Sequence, residues 1–300
     1  MSKFSVIKDK LPIIACVFVV AVWGETFVSS KILLEEGLMP ADIFFYRFLI
    51  AYVLMSLLSH DMMWGKNWKD ELMMFIAGVS GGSVYFLAEN LALRYSTAGN
   101  VAILVGTTPF VTAVLLSIFY KDERMNRHQL FGSMVAFAGL VLVVLNGQLV
   151  LHLNPIGDLL ALTASVLWGV YSLAMKNVTC NYDPKFVTRK IFGYGLVTIL
   201  PWFAFVEPLN MSVDILTRPA VWGNIASLGI VASLLCFLLW NWLLPHVGVV
   251  KATNVIYTQC IFTLVISHFV LDERITVMAL CGTVILIFGM LIVSNKRIRR

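Results

Sequence analysis

Two carboxylates lie inside strongly apolar stretches of this sequence, Glu25 and Glu89. An ionised side chain in such surroundings is costly, so it is typically paired with a cation or used in function. Two explanations are open. In the first, Lys31 or Arg47 pairs with a carboxylate and clamps the structure. In the second, Glu89, Glu25 or both exchange protons during function, as desolvated acids at functional sites do.

Other polar and aromatic side chains share these apolar stretches. Amide and hydroxyl groups there either join neighbouring helices by hydrogen bonds or line a cavity. Deeply placed aromatic residues are suited to an apolar pocket for an aromatic or amphiphilic solute. The candidate substrate-binding residues are Trp23, Glu25, Tyr85, Glu89, Asn90, Trp168, Tyr171, Asn241, Asn254, Tyr257 and Thr258. The last three of these lie close together, and Asn254 and Thr258 would share one face of a continuous helix.

No motif for catalysis or metal binding occurs in the sequence. It contains no His-Glu-x-x-His, no Gly-x-Ser-x-Gly and no phosphate-binding glycine loop. The five histidines fall in separate segments. We therefore expect no catalytic residue, no metal and no cofactor. The basic residues are scattered between apolar runs, which argues against a nucleic-acid partner.

Composition predicts the class of protein. The chain has 300 residues, of which 59% are hydrophobic and 13% charged, and its mean hydropathy is +0.87. A soluble globule of this size lacks the interior to bury so many apolar side chains. A bilayer core of roughly 30 Å is crossed by about 20 helical residues. Ten apolar stretches approach that length, at 12–34, 43–59, 72–93, 97–120, 128–146, 156–177, 186–206, 221–244, 249–271 and 275–294. We predict an all-α membrane protein with ten transmembrane helices.

A repeated pattern divides the chain into two halves. The triplet Asp122-Glu123-Arg124 returns as Asp272-Glu273-Arg274, each time after a long apolar run. Each triplet is followed by paired glycines, which are Gly132 with Gly139 and Gly282 with Gly289. This register indicates an internal duplication, with repeats at 1–147 and 148–300. Five helices per repeat is an odd number, so the second repeat would be inverted in the membrane. The paired glycines are expected to pack the two halves together.

Lys and Arg predict the orientation of the helices. With an inner N-terminus, most basic residues outside the helices fall on the inner side, whereas the outer segments hold only Arg94, Arg218 and Arg274. The positive-inside rule then places both termini in the cytoplasm. The sequence is therefore expected to be a multi-pass protein of the cell's inner (plasma) membrane.

The sequence resembles the EamA repeat of the drug/metabolite transporter superfamily. The resemblance is carried by Arg94 through Asn100, Thr108-Pro109-Phe110 and the first triplet, and by Trp240-Asn241-Trp242 through the second triplet. Trp23-Gly24 and Arg47-Phe48 fit the same pattern. The resemblance implies a bundle of ten helices in two inverted halves that moves small organic solutes. Glu25 departs from the family pattern, in which this position is usually small or polar.

Together these features predict a secondary active transporter that works by alternating access. The expected substrates are small organic metabolites, such as amino acids or amphiphilic compounds, and the expected direction is export, with proton coupling through Glu89 or Glu25. A passive channel or facilitator is the alternative, and an integral-membrane enzyme is a weaker one. The predicted partners are a small-molecule substrate and the lipid bilayer, while monomer and homodimer both remain open.

Overall fold

The computed structural model describes residues 3–59, 63–96, 101, 104–120, 127–145, 154–271 and 276–294. These residues form helices joined by short connections, and no strand occurs among them. The predicted all-α class is therefore confirmed for this part of the chain. Both Asp-Glu-Arg triplets lie outside the described residues.

Helix occupies each of the ten apolar stretches. The first half contains α1 (Lys3–Glu35), α2 (Pro40–Leu58), α3 (Trp68–Tyr95), α4 (Thr108–Phe119) and α5 (Arg127–Leu145). The second half contains α6 (Pro155–Asn181), α7 (Pro184–Phe205), α8 (Pro219–Val247), α9 (Val249–Val255, Ile256–Thr258 and Gln259–Leu271) and α10 (Val277–Ser294). A single helical turn at Val213–Leu216 precedes α8.

Five of these helices are long and apolar enough to cross a membrane. They are Leu11–Glu35 within α1, and α2, α3, α6 and α8 over their whole lengths. Thr108–Phe119 and Val277–Val293 are apolar but shorter. The prediction of long apolar helices is thus confirmed for these five.

Proline fixes where four helices begin. Pro40, Pro155, Pro184 and Pro219 each stand in the first turn of a helix. Proline suits this place because its missing N–H would have no partner there and its φ is already helical. The apolar stretch that predicts α2 begins at residue 43, but the helix begins three residues earlier, at Pro40.

Three helices are irregular near their middles, and a turn precedes a fourth. α3 contains a π-helical segment at Val79–Ser83, and α8 contains a longer one at Ser227–Leu235. Such segments widen the helix and are frequent at functional sites. α9 narrows to a 3-10 turn at Ile256–Thr258. A turn at Gly106 and Thr107 precedes α4. The expectation of one continuous helix over 249–271 was therefore wrong.

α5 and α10 pack backbone against backbone along their glycines. A Cβ atom added at Gly139 would lie 2.3 Å from the backbone nitrogen of Leu286 and 2.7 Å from the carbonyl oxygen of Gly282. One added at Gly289 would lie 2.7 Å from the carbonyl oxygen of Gly132. The prediction that these glycines join the two halves is confirmed.

This glycine contact makes Gly139→Ala a destabilising substitution. Its closest neighbours are backbone atoms that cannot rotate away, so the added methyl group must push the helices apart, at a cost of about 1–3 kcal/mol. We expect a lower midpoint of thermal unfolding in detergent. The matched control is Gly223→Ala, because a Cβ there meets nothing within 4 Å. Equal unfolding midpoints for the two variants would contradict the prediction.

Polar contacts join the start of α3 to the loop before it, to α7 and to the connection between α6 and α7, at one end of the bundle. Glu71 forms an ion pair with Lys190, and its Oε2 accepts a hydrogen bond of 2.6 Å from the backbone of Gly65. The Tyr182 hydroxyl donates to Asp70 over 2.7 Å. Burial, followed by this carboxylate, raises the pKa of Tyr182. The phenol therefore stays protonated and keeps its role as a donor.

At the opposite end of the bundle, the start of α2 is joined to the segment that follows α7. Asp42 accepts a hydrogen bond of 3.0 Å from the backbone nitrogen of Asn210. The Tyr46 hydroxyl donates to the carbonyl oxygen of the same residue over 2.5 Å. Nearby, Arg218 forms ion pairs with Glu36 at 3.1 Å and with Asp214 at 2.9 Å. The two halves are thus connected at both ends of the bundle.

Candidate functional site

A cavity lies between the irregular middles of the helices. It is lined by residues of α1, α2, α3, α6, α8 and α9 and by residues at the start of α4. The lining residues are Trp23, Thr26, Arg47, Tyr85, Phe86, Glu89, Val105, Thr108, Trp168, Phe237, Ile256 and Gln259. Val105 and Thr108 flank the turn that precedes α4, and Ile256 and Gln259 lie at the 3-10 turn of α9. The irregular backbone therefore lies beside the cavity.

Aromatic rings form much of the wall. The ring of Trp168 lies 5.2 Å from that of Trp23 and 5.2 Å from that of Tyr85, centroid to centroid. Phe237 packs against Trp23 at 5.8 Å. These are favourable edge-to-face and tilted arrangements. The structure therefore brings three predicted residues together. Tyr171 is fully buried behind the wall, with its ring 4.9 Å from Trp168.

Arg47 supplies the positive charge of the cavity. Its side chain is 1% exposed. The Nε–H donates to the Ser233 hydroxyl over 2.9 Å, and the guanidinium carbon lies 4.3 Å above the ring of Phe86. In the described part of the chain, the hydrogen bond of Arg47 is the one that Nε donates, and none runs from its two Nη groups. These four N–H donors are therefore available to a bound molecule.

Glu89 supplies the negative charge. It is 6% exposed and interacts electrostatically with Arg47 and with the Tyr85 hydroxyl. The ion pairs within 4.0 Å in the described residues are those of Glu71, Glu36 and Asp214, so neither Lys31 nor Arg47 contacts Glu89 or Glu25 that closely. The direct clamp considered from the sequence is thus absent here, and the two charges of the cavity stand apart.

Glu25 lies outside the set of lining residues. It is half-buried and accepts a hydrogen bond from the Ser29 hydroxyl, one turn further along α1. The same hydroxyl oxygen lies 2.8 Å from the Asn224 side-chain oxygen on α8. Glu25 also interacts electrostatically with Arg47. It is therefore a neighbour of the cavity and not part of its wall.

The two predicted asparagines of α3 and α8 join helices. Asn90 donates to the carbonyl oxygen of Pro40, at the start of α2, over 3.1 Å. Asn241 accepts from the Tyr171 hydroxyl over 2.7 Å and donates to Thr188 over 2.9 Å. Neither lines the cavity, so these contacts favour the structural explanation given for them above.

The predicted cluster on α9 is not among the residues that line the cavity. Asn254 and Thr258 donate to carbonyl oxygens of their own helix, each over 2.7 Å, and Tyr257 packs in a second hydrophobic cluster. The 3-10 turn explains the difference, because it changes the rotation per residue. It brings Ile256 and Gln259 to the cavity in their place.

Several lining residues were not proposed from the sequence. Arg47 was considered only as a clamp, although a guanidinium inside an apolar helix is itself a sign of function. Gln259 was not among the candidates. Its side chain donates to the carbonyl oxygen of Trp23 over 3.1 Å. Phe86 and Phe237 carried no signal that separates them from other apolar residues.

The lining can bind a small organic ion. It offers a guanidinium, a carboxylate and several aromatic faces around one cavity. In the described part of the chain, no group of three or more His, Cys, Asp or Glu residues is placed to hold a metal ion.

Comparisons with known proteins give a consistent result. A family model described as the EamA-like transporter family matches residues 10–145 and 155–295. A protein of Archaeoglobus fulgidus named "Uncharacterized transporter" is 27% identical over 92% of this chain and 94% of its own. A "Probable terminal-alkyne amino-acid exporter" of Streptantibioticus cattleyicolor is 25% identical over 95% of this chain and 94% of its own.

A solved crystal structure shares the fold. It aligns with a TM-score of 0.76 at 16% identity, over 94% of this chain and 97% of the other. The likeness concerns the fold alone. The matched family and the long apolar helices make this a multi-pass membrane protein, and the two matched regions cover nearly the whole sequence. The chain belongs to the EamA-like transporter family.

Proposed function

We propose that this protein is a secondary active transporter that exports amino acids or closely related zwitterions through the cavity described above. The observation that carries the proposal is Arg47. It is buried, its Nη groups make no hydrogen bond to the described residues, and it stands in the same aromatic cavity as Glu89.

The charges of the cavity match those of an amino acid. A guanidinium binds a carboxylate through two parallel hydrogen bonds. An ammonium group would be attracted by Glu89 and by the faces of Trp23 and Trp168. The remaining rings, Phe86 and Phe237, would contact an apolar side chain. Each part of the substrate thereby gains a partner that replaces water.

The backbone contact of Arg47 with α8 does not depend on the charge of its side chain. The Cβ position of Gly229 on α8 lies 3.2 Å from the carbonyl oxygen of Arg47. The Cβ position of Gly78 on α3 lies 3.1 Å from the carbonyl oxygen of Ile191 on α7. These contacts are alike, yet one partner is charged and the other apolar. A charge that the equivalent contact does without is expected to serve a ligand.

Alternating access between inverted repeats at 1–147 and 148–300 is the proposed mechanism. It is supported by paired contacts between the halves. Gly24 of α1 approaches α9, with its Cβ position 2.8 Å from the carbonyl oxygen of Gln259. Gly169 of α6 approaches α4, with its Cβ position 2.8 Å from the side chain of Leu115. Two similar halves that cross in this way can exchange conformations, opening the cavity to either side.

The proposal includes the direction of transport and the orientation of the protein in the membrane. One relative is named as an amino-acid exporter. The distribution of Lys and Arg favours cytoplasmic termini in the inner membrane. Proton coupling is assigned to Glu89, which faces the cavity, with Glu25 as a secondary candidate beside it.

Flux through proteoliposomes tests the function. The vesicles are loaded with single amino acids, matched amines and matched carboxylic acids, with and without a proton gradient. We expect amino acids to move against their own gradient only when protons are supplied. Movement that only equalises concentrations would identify a facilitator or channel. A new compound in the medium would identify an enzyme, and no movement of any amino acid would contradict the proposal.

A further inference from the structure

The π-helical segment of α8 accepts hydrogen bonds from two residues that line the cavity, Arg47 and Trp23. Ser233 accepts the hydrogen bond from Arg47 Nε over 2.9 Å, and the carbonyl oxygen of Ala232 accepts one from Trp23 Nε1 over 3.0 Å. Both acceptors lie within Ser227–Leu235. A single irregular segment of the second half therefore orients a cation and an indole that both belong to the first half.

The Ser233 hydroxyl differs in its contact from a serine in the other π-helical segment. In helices, serine often turns its hydroxyl back to a carbonyl oxygen of the preceding turn. Ser80, in the π-helical segment of α3, does this with the carbonyl oxygen of Ile76 over 2.7 Å. The Ser233 oxygen instead accepts from another helix. Gly229 makes this possible, because its missing side chain lets α8 approach the backbone of Arg47.

Arg47 and Glu89 line the same cavity without forming an ion pair with each other. Opposite charges inside a protein attract strongly because little water screens them. Arg47 is nevertheless more than 4.0 Å from the Glu89 carboxylate oxygens. Ser233 on one side and the Phe86 ring on the other restrict the guanidinium. Without Ser233, it could turn toward Glu89 and neutralise the site that a zwitterion would occupy.

We propose that Ser233 is a positioning residue that directs the Nη groups of Arg47 into the cavity, so that they meet the carboxylate of the transported molecule. This inference deepens the proposed function and rests on it. It assigns to Ser233 no contact with the substrate itself. Its effect must therefore pass through the guanidinium of Arg47.

A double-mutant cycle tests this dependence. Ser233→Ala, Arg47→Lys and the double variant are compared with the wild type for amino-acid binding, measured as the ligand-induced rise of the unfolding temperature over a concentration series. Binding remains measurable in variants that no longer transport. Ser233→Ala should weaken binding about tenfold, the effect expected for one hydrogen bond to a charged group. In the Arg47→Lys background, where no Nε–H exists, the same change should have little effect.

Two further measurements decide between positioning and structure. Ser233→Thr keeps the hydroxyl and should restore binding to near the wild-type level. In flux assays, Ser233→Ala should raise KM while leaving the maximal rate nearly unchanged. Equal weakening by Ser233→Ala in both backgrounds, or no weakening in either, would overturn the inference. If the wild type binds no amino acid, both the proposed function and this inference fail. If it binds amino acids but the effects of the two substitutions are additive, only the role of Ser233 is refuted.

Discussion

Replacing Arg47 by glutamine should reduce amino-acid export by about a hundredfold or more, as truncation of one partner in a buried, hydrogen-bonded charge pair typically does. Glutamine keeps an amide donor near Ser233 but removes the paired N–H groups and the charge. The substrate carboxylate would then be buried without a cation. Initial rates from proteoliposomes, normalised to incorporated protein, provide the measurement.

The matched control for this substitution is Arg94→Gln. Arg94 lies near the end of α3 and is exposed, with its Nη1 3.8 Å from the sulfur of Met39. Its replacement should change export less than about twofold, since exposed charges contribute little. If Arg47→Gln exported amino acids as fast as Arg94→Gln, Arg47 would have no part in binding them. Gel filtration of both variants checks that each is folded.

Glu89→Gln should abolish accumulation driven by a proton gradient while preserving exchange of substrate across the membrane. Glutamine has nearly the same shape and keeps its place among Tyr85, Phe86 and Trp168, but it can neither gain nor lose a proton. Coupling requires such a change, whereas exchange of one substrate molecule for another does not. The two activities are measured in the same vesicles, once with an imposed gradient and once with substrate on both sides.

Two variants serve as controls for Glu89→Gln. Glu35→Gln alters an exposed carboxylate at the end of α1 and should leave both activities unchanged. Glu25→Gln alters the neighbour of the cavity and should have a smaller effect on coupling than Glu89→Gln. Undiminished accumulation by Glu89→Gln would remove Glu89 from the coupling step. A greater loss with Glu25→Gln would transfer that role to Glu25.

The apolar composition and the positions of proline and glycine predict much of the fold. Long apolar stretches require helices in a membrane, because each backbone polar group must be satisfied within its own segment. The paired glycines predicted the contact of α5 and α10 correctly. The irregular segments were not predictable, because nothing in Val79–Ser83 or Ile256–Thr258 marks a π or 3-10 turn. Those geometries depend on contacts with other helices.

The site was predicted in part. Trp23, Tyr85, Glu89 and Trp168 were recognisable because a carboxylate and large rings are informative inside apolar helices, and the structure places all four around one cavity. Ser233 was not recognisable, since its partner Arg47 is 186 residues away in sequence. Asn254 and Thr258 do not line this cavity, and the 3-10 turn interrupts the continuous helix that the sequence suggested.

The contact of α5 with α10 has a practical consequence for measuring motion. Gly132 and Gly139 meet Gly289 and Gly282 so closely that a shift of one residue along either helix would drive a side chain into backbone. The pair must therefore move as one rigid body, if it moves at all. Spectroscopic labels on the outward faces of these two helices would give a fixed frame of reference. Distances from these labels to labels on the other helices would report how the other helices move when the cavity opens.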